Sequence, residues 1–266
     1  MKAYQGFAGV YDELMDNAPY REWAERLDCL IRKYGVSLPE RDAEDLLDSE
    51  KNLVLDLGCG TGTMAELMYQ KGYDMVGVDI SEEMLGVAME KKEKSGSEIL
   101  YLQQDMRELE LYSTVGTIYS VCDSLNYILE EEELLRIFSL VNNYLFPGGV
   151  FIFDFNTVYK YREVIGDTVI AENREDCSFI WENYYDPEEE LNEYDMTFFI
   201  REGELFRRHT ETHFQRGYTP AQMQRLLEQA GLQVLEMRDA DSGGPVCEES
   251  ERIYAVAREK DKAAHS

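Results

Sequence analysis

The chain has 266 residues and a formal charge of −28, set by 54 Asp and Glu against 26 Lys and Arg. Such an excess of acid repels phosphate backbones and argues against sequence-independent nucleic-acid binding. A hydrophobic content of 44% with 12% aromatic residues argues against wholesale disorder, and no apolar run approaches the roughly 20 residues that cross a bilayer.

The length suits one large domain, or one domain with an elaboration. The opening MKAYQGFAGVYDEL contains no apolar stretch of signal-peptide type. Residues 1–50 read as helical. Tyr20, Trp23, Leu27, Leu30 and Ile31 recur on one helical face. Pro39 permits a restart, and Leu46 and Leu47 fall in an acidic third helix.

From Asn52 the pattern becomes short apolar strands alternating with amphipathic helices. Strands are expected at 53–57, 75–78, 99–102, 117–121 and 150–155. Ser81 is a suitable N-cap for a helix carrying Met84, Leu85 and Ala88. A helix opened by Glu130 to Glu133 buries Leu134, Phe138, Val141 and Leu145, its acids complementing the helix dipole. Pro147-Gly148-Gly149 reads as a turn. Such alternation predicts a parallel sheet with right-handed crossovers. Residues 157–218 break the rhythm. Phe179, Ile180, Trp181, Tyr184, Tyr185 and the run 196–200 predict three or more inserted antiparallel strands. Alternation within that sheet accounts for the Trp181 and Tyr184–Tyr185 cluster more simply than a substrate cage does. Thr219-Pro220 then starts a helix with Met223, Leu226, Leu227 and Ala230 inside and Gly231 as its stop. Strands around 234–235 and 253–257 close the chain.

Cys29, Cys59, Cys122, Cys177 and Cys247 are odd in number, scattered, and form no C-x-x-C pair. Free thiols in a reducing cytoplasm are expected, with no metal centre.

The string Leu55-Asp56-Leu57-Gly58-Cys59-Gly60-Thr61-Gly62-Thr63 ends the first strand and opens the first helix after it. Glycines admit a ligand close to the backbone, and a helix start offers free N–H groups. The spacing is G-x-G-x-G, whereas the dinucleotide fingerprint is G-x-G-x-x-G. Asp56 beside the glycines would repel a pyrophosphate but suits a cationic amine. Asp79 ends the second strand, where an acid can accept both ribose hydroxyls. Gln104-Asp105-Met106 follows the third strand, where an acid can accept an adenine amino hydrogen and Met106 can pack on the ring.

On these residues the chain resembles the class I S-adenosylmethionine-dependent methyltransferases. DLGCGTG at 56–62, VDIS at 78–81, QDM at 104–106 and LFPGGVFIFD at 145–154 carry the likeness. More narrowly, YQGFAGVYDELM near the N-terminus, CDSLNYI at 122–128 and ETHFQR at 211–216 resemble a bacterial YqeM-like methyltransferase family. The resemblance implies a Rossmann-like seven-stranded sheet, mostly parallel with the last strand antiparallel, helices on both faces, and cofactor at the carboxyl ends of the strands. It implies an N-terminal helical lid over 1–50, a cofactor-binding α/β domain over 51–156 and 219–260, and an antiparallel β cap over 157–218 on the substrate side. Carried over by position, Gly58, Cys59 and Gly60 cradle the methionine part of S-adenosylmethionine, and Asp56 binds its amine. Asp79 holds the ribose with Ile80 and Met84 nearby, and Gln104, Asp105 and Met106 meet the adenine. Cys122 and Asp123 face the sulfonium side, and Tyr4, Phe7 and Tyr11 are lid residues. S-adenosylhomocysteine is the implied product.

Methyl transfer needs a base only if the nucleophile must lose a proton. His265 lies in the tail. His209 and His213, four apart on a strand, face one side with Glu211 and Gln215. An exposed polar sheet face and a base with a nearby acid both fit that pattern. Asp123 and Asn126 follow the fourth strand at the ligand edge and are expected to point at the acceptor. A small-molecule acceptor held between sheet edge and cap is the leading expectation. Methylation of tRNA or another RNA stays open, with Arg207, Arg208 and Arg216 as the obvious basic cluster. An NAD-dependent oxidoreductase is disfavoured by the glycine spacing and Asp56, and a non-catalytic cofactor-binding module is the last alternative. Nothing in the sequence separates monomer from homodimer.

Overall fold

The computed structural model describes residues 8–39, 46–260 and 262. Tyr4, Phe7 and His265 lie outside the described residues. The chain opens with three helices, α1 (Ala8–Leu14), α2 (Tyr20–Tyr34) and α3 (Leu46–Asn52). β1 (Leu53–Leu57), α4 (Thr63–Gln70), β2 (Asp74–Asp79), α5 (Glu82–Ser95) and β3 (Leu100–Gln103) follow in strict alternation. β4 (Val115–Ser120), α6 (Glu131–Tyr144) and β5 (Leu145–Asn156) continue it.

Four strands then form a separate antiparallel sheet, β6 (Val169–Asn173), β7 (Cys177–Asp186), β8 (Leu191–Glu202) and β9 (Leu205–Arg216), before α7 (Pro220–Gln229), β10 (Leu232–Asp239) and β11 (Arg252–Glu259) return to the first. The larger sheet has seven strands in the order β10-β11-β5-β4-β1-β2-β3. Its neighbours from β5 to β3 run parallel, and β11 is antiparallel to both β5 and β10. Strand order reverses between β1 and β4, which opens a crevice at their carboxyl ends.

Side-chain alternation sends β1 to two cores. Leu55 and Leu57 pack with Leu134, Phe138 and Val141 of α6 and Met223, Leu226 and Leu227 of α7. Val54 packs on the other face with Leu27 and Ile31 of α2 and Met64 and Met68 of α4. Helices therefore cover both faces, as parallel strands require. The caps read from sequence are made: Ser81 accepts the Met84 N–H, and Thr219 and Gln222 close a capping box around Pro220.

One expected turn is absent. Pro147-Gly148-Gly149 lies within β5 rather than before it. Gly149 has no Cβ, and one there would stand 2.8 Å from the carbonyls of Gly116 and Phe146, so glycine lets the strand run on where a side chain would end it. The pairing of β5 with β4 shifts register at this point.

α1 joins the two sheets. Ala8 and Val10 pack against Met84 of α5 and against Cys177 and Phe198 of the four-stranded sheet. Arg174, just past β6, ion-pairs with Asp16 at 3.0 Å and donates to the Glu13 carbonyl. Among the described residues no helix is long and apolar enough to cross a membrane.

Candidate active site

The glycine-rich turn leaves β1 with Gly58, Gly60 and Gly62 at φ of +85°, +53° and +74°. L side chains rarely adopt this left-handed region, which explains the glycines. Close approach adds a second reason at Gly58, where a Cβ would stand 2.8 Å from Ser124 Oγ. The turn is tied to β2: Gly58 and Cys59 donate to the Val78 carbonyl, and Gly60 N–H donates to Asp79 Oδ2 at 2.7 Å. The other Asp79 oxygen accepts from Ser81 N–H at 2.9 Å. Burial raises the Asp79 carboxyl above its ordinary value, against these backbone bonds.

Asp56 is 2% exposed and accepts from the Tyr119 hydroxyl of β4 at 2.9 Å. Desolvation pushes it up to about 8, opposed by the Tyr119 bond and assisted by the Asp79 charge. α1 closes over the turn through Asp12, which accepts from Thr61 at 2.7 Å and pairs with Lys91 at 2.6 Å.

Opposite the glycines, the turn after β4 holds two consecutive left-handed residues, Cys122 at φ +62° and Asp123 at +54°. Neither is glycine, so the turn is strained and must be held from outside. Asp154 of β5 holds it, accepting from Cys122 N–H at 3.1 Å and Asp123 N–H at 2.8 Å. Arg252, at the start of β11, pairs with Asp123 at 2.8 Å and reaches Asp154 at 3.7 Å. Burial works against the guanidinium charge, and Asp154 and Asp123 outweigh it, so its affinity for the proton rises. Gln215 of β9 donates to the second Asp123 oxygen at 2.9 Å, while its own carbonyl accepts from Tyr161 at 2.5 Å and from Tyr194. Asp154, Arg252, Tyr119, Tyr161 and Tyr194 were not singled out from sequence. The available signals were a charge inside the apolar run 150–155, at Asp154, and one just before the run 253–257, at Arg252.

The expected site residues fall in three groups. Asp56, Gly58, Cys59, Gly60, Asp79, Cys122 and Asp123 converge on the crevice between β1 and β4. Tyr11 of α1 joins them: burial raises its hydroxyl strongly, with further increments from Tyr20, Cys122 and Asp123. Ile80 is 57% exposed beside them, and Met106 Cε lies 3.4 Å from where a Gly58 Cβ would be.

A second group is engaged elsewhere in the protein. Met84 is buried in the contact between α1, α5 and the four-stranded sheet. Gln104 exchanges two hydrogen bonds with the Glu110 backbone. Asp105 is bound by Arg107 through backbone and guanidinium, which holds its carboxyl below the usual range. Its remaining lone pairs are all that it can offer a ligand.

The third group corrects an expectation. Asn126 does not point at an acceptor: it is fully buried, its amide donates to the carbonyls of Asn156 and Arg216, and its oxygen accepts from Asn156 N–H. It staples β5 to the end of β9 and has no donor left to give.

The histidine face of β9 is exposed at Arg207, half-buried at His209 and interior from His213 to Gln215. His213 is 2% exposed, lies 3.1 Å from Glu211, and meets the edge of Tyr127 with ring centroids 5.9 Å apart. Tyr127 ends the 3-10 turn that begins at Ser124, directly after Asp123. On the same face Trp181 packs edge-on against Tyr194 at 5.0 Å, and its Nε1 is buried without a partner among the described residues. Tyr184 points the other way and is 50% exposed, as alternation along β7 requires. A surface cleft of about 780 Å³ lies behind the glycine-rich turn between the α1–α2 connection, α4 and α5, away from this crevice. Among the described residues no group of three or more His, Cys, Asp or Glu is arranged to hold a metal ion.

Known proteins resemble this chain in sequence and in fold. Residues 54–149 match the family described as Methyltransferase domain. The Bacillus subtilis (strain 168) protein named "Putative methyltransferase YqeM" is 36% identical over 256 residues, which cover 96% of each chain. The crystal structure of an S-adenosylmethionine-dependent methyltransferase from Clostridium acetobutylicum superposes with a TM-score of 0.83 at 29% identity, covering 97% of this chain and 99% of that one. CalS10, an amino pentose methyltransferase from Micromonospora echinaspora solved with S-adenosylmethionine bound, has a TM-score of 0.70 at 16% identity, covering 97% and 98% of the two chains; that likeness is one of fold. A buried acid beside a glycine turn, a second acid at the end of β2 and a crevice at the strand-order reversal fit S-adenosylmethionine, and the chain belongs to the YqeM-like family of S-adenosylmethionine-dependent methyltransferases.

Proposed function

We propose that the enzyme methylates a small-molecule acceptor, bound between the β1–β4 crevice and the inner face of the β6–β9 sheet. S-adenosylmethionine supplies a carbon already activated by a sulfonium leaving group, so the protein's task is alignment and exclusion of water. Asp79 takes the ribose hydroxyls, and Asp56 takes the amine. Gly58, Gly60 and their neighbours line the methionine arm. Asp105 and Met106 meet the adenine, and Cys122 and Asp123 stand on the sulfonium side. Residues 1–50 serve as a lid through Tyr11, and residues 157–218 as a cap on the acceptor side.

One observation carries the acceptor's location. The inner face of the cap brings the buried His213–Glu211 pair against Tyr127, beside the turn that carries Asp123. The orphan Trp181 N–H on that face is a donor suited to a polar acceptor. His213 with Glu211 can take the proton of an acceptor N–H or O–H. The fold shared with CalS10 extends over the cap, which supports a small molecule such as an amino sugar. The charge of −28 points the same way, away from a polyanion. The free cysteines accord with a cytoplasmic enzyme.

The test is incubation with methyl-labelled cofactor and cell extract split into small-molecule and macromolecular pools. Label is expected in the small-molecule pool; label in RNA would overturn the acceptor class. His213→Ala is expected to leave the cofactor Kd within about twofold of wild type while slowing transfer about 100-fold or more, the usual share of a general base. Calorimetry with S-adenosylhomocysteine and single-turnover kinetics on the labelled product check the two halves.

A further inference from the structure

Asp56 sits in β1 with its carboxylate almost wholly out of water. Among the described residues, the neighbouring elements face it with an acid or a neutral group: β2 with Asp79, β3 with Tyr101, β4 with Tyr119, the strained turn with Cys122 and the glycine turn with Cys59. Lys91 is committed to Asp12, Arg252 to Asp123 and Asp154, and Lys160 to Asn156. Buried carboxylates are normally paired with a cation or kept neutral. Here the one hydrogen bond to the carboxylate comes from the Tyr119 hydroxyl, and no pairing cation accompanies it among the described residues.

With S-adenosylmethionine seated as assigned under the proposed function, a premise on which the inference rests, we propose that Asp56 and Tyr119 form a proton-linked site for a primary ammonium. Asp56 holds a proton in the ligand-free protein and gives it up to solvent when the ammonium of S-adenosylmethionine docks. The balance is simple. The carboxylic O–H bond breaks, the proton goes to buffer, and the carboxylate pairs with an ammonium that keeps its own protons. Tyr119 is thereby a positioning residue, donating to Asp56 in both states and keeping one oxygen directed away from the incoming cation.

The elevation of Asp56 to about 8 fits this arrangement. Its ordinary value is about 4, so the ligand-free protein keeps this group's favourable contribution below pH 4 and loses it as pH rises through 8. At pH 6.5 the carboxyl is protonated, while the amine of the free cofactor, with a pKa of about 7.7–8.0, is already an ammonium.

The experiment is titration calorimetry of the full chain at pH 6.5, repeated in buffers of different ionisation enthalpy. S-adenosylmethionine and S-adenosylhomocysteine, which both carry the ammonium, are expected to release about one proton per molecule bound. 5′-Methylthioadenosine, which lacks the amino-acid arm, is expected to release none. Asp56→Asn is expected to abolish the release and weaken S-adenosylmethionine at least tenfold. Retained release in that variant would assign the proton to another group, such as Asp79, and overturn the proposal. Tyr119→Phe keeps the proposal falsifiable should Asp56→Asn fail to fold. It removes the bond that lowers Asp56, so release at pH 8 should exceed that of wild type, and an unchanged value would overturn the pairing. Tight binding of S-adenosylmethionine with no proton release overturns this inference alone. No binding of S-adenosylmethionine at all overturns the cofactor assignment with it.

Discussion

Replacing Arg252 with methionine is expected to lower the unfolding free energy by about 3–5 kcal/mol, among the largest single losses in the protein. The substitution conserves bulk and removes the ion-pair partner of Asp123 and Asp154, leaving Lys160, which is bound to Asn156, as the cation that acts on both. Asp154 is already raised by burial, with Arg252 opposing that rise and Asp123 adding to it. Without the guanidinium the pair cannot stay doubly ionised at low cost, and one carboxyl takes a proton. The strained backbone at Cys122 and Asp123 then loses part of the anchor that holds it. Urea denaturation at pH 7 measures the loss. A companion variant, Arg252→Met with Asp154→Asn, should recover much of it, because removing one acid relieves the repulsion. A loss below about 1 kcal/mol would mean that the site is wetter than its burial implies.

Asp79→Ala is expected to weaken S-adenosylmethionine by about 100-fold, from two lost hydrogen bonds between a carboxylate and ribose hydroxyls. The effect has a second source in the protein itself. Asp79 also accepts the Gly60 and Ser81 N–H groups, so the variant frees the glycine turn at its centre and the first residue of the α5 cap. Asp79→Asn separates the two contributions: it keeps one acceptor oxygen but faces one of those N–H groups with its own NH₂. Binding is followed by calorimetry and by the rise in Tm with cofactor, which scales with the logarithm of ligand concentration over Kd. Affinity unchanged in both variants would remove Asp79 from the ribose.

Several features of the fold were legible in the one-dimensional sequence because each follows from local chemistry. Strand–helix alternation needs only apolar periodicity, and the starts of α5 and α7 need only Ser81 and Thr219-Pro220. The glycine string is legible because positive φ excludes other residues at Gly58, Gly60 and Gly62. The three Pro-Gly-Gly residues misled for the same local reason: they favour a turn, yet the close approach of Gly116 to Gly149 makes them part of β5.

The other half of the site depends on pairings between distant strands, to which local periodicity is blind. Alternation placed His213 and Gln215 on one face of β9 but could not say what lies against that face. Packing on Tyr127 and Asp123 turned an ordinary polar stripe into a buried one. Asn126 looked free to meet a ligand until β5 and the end of β9 took both of its donor hydrogens. Arg252 and Asp123, 129 positions apart, meet because β11 runs back along β5 and brings the arginine to the carboxyl edge of the parallel strands. Membership of the methyltransferase family and the cofactor's class are thus written in short contiguous motifs. The charge state of Asp56 and the anchoring of Asp123 arise only when the sheet closes, because burial and the partner across a strand, rather than residue type, set the energy of a carboxylate.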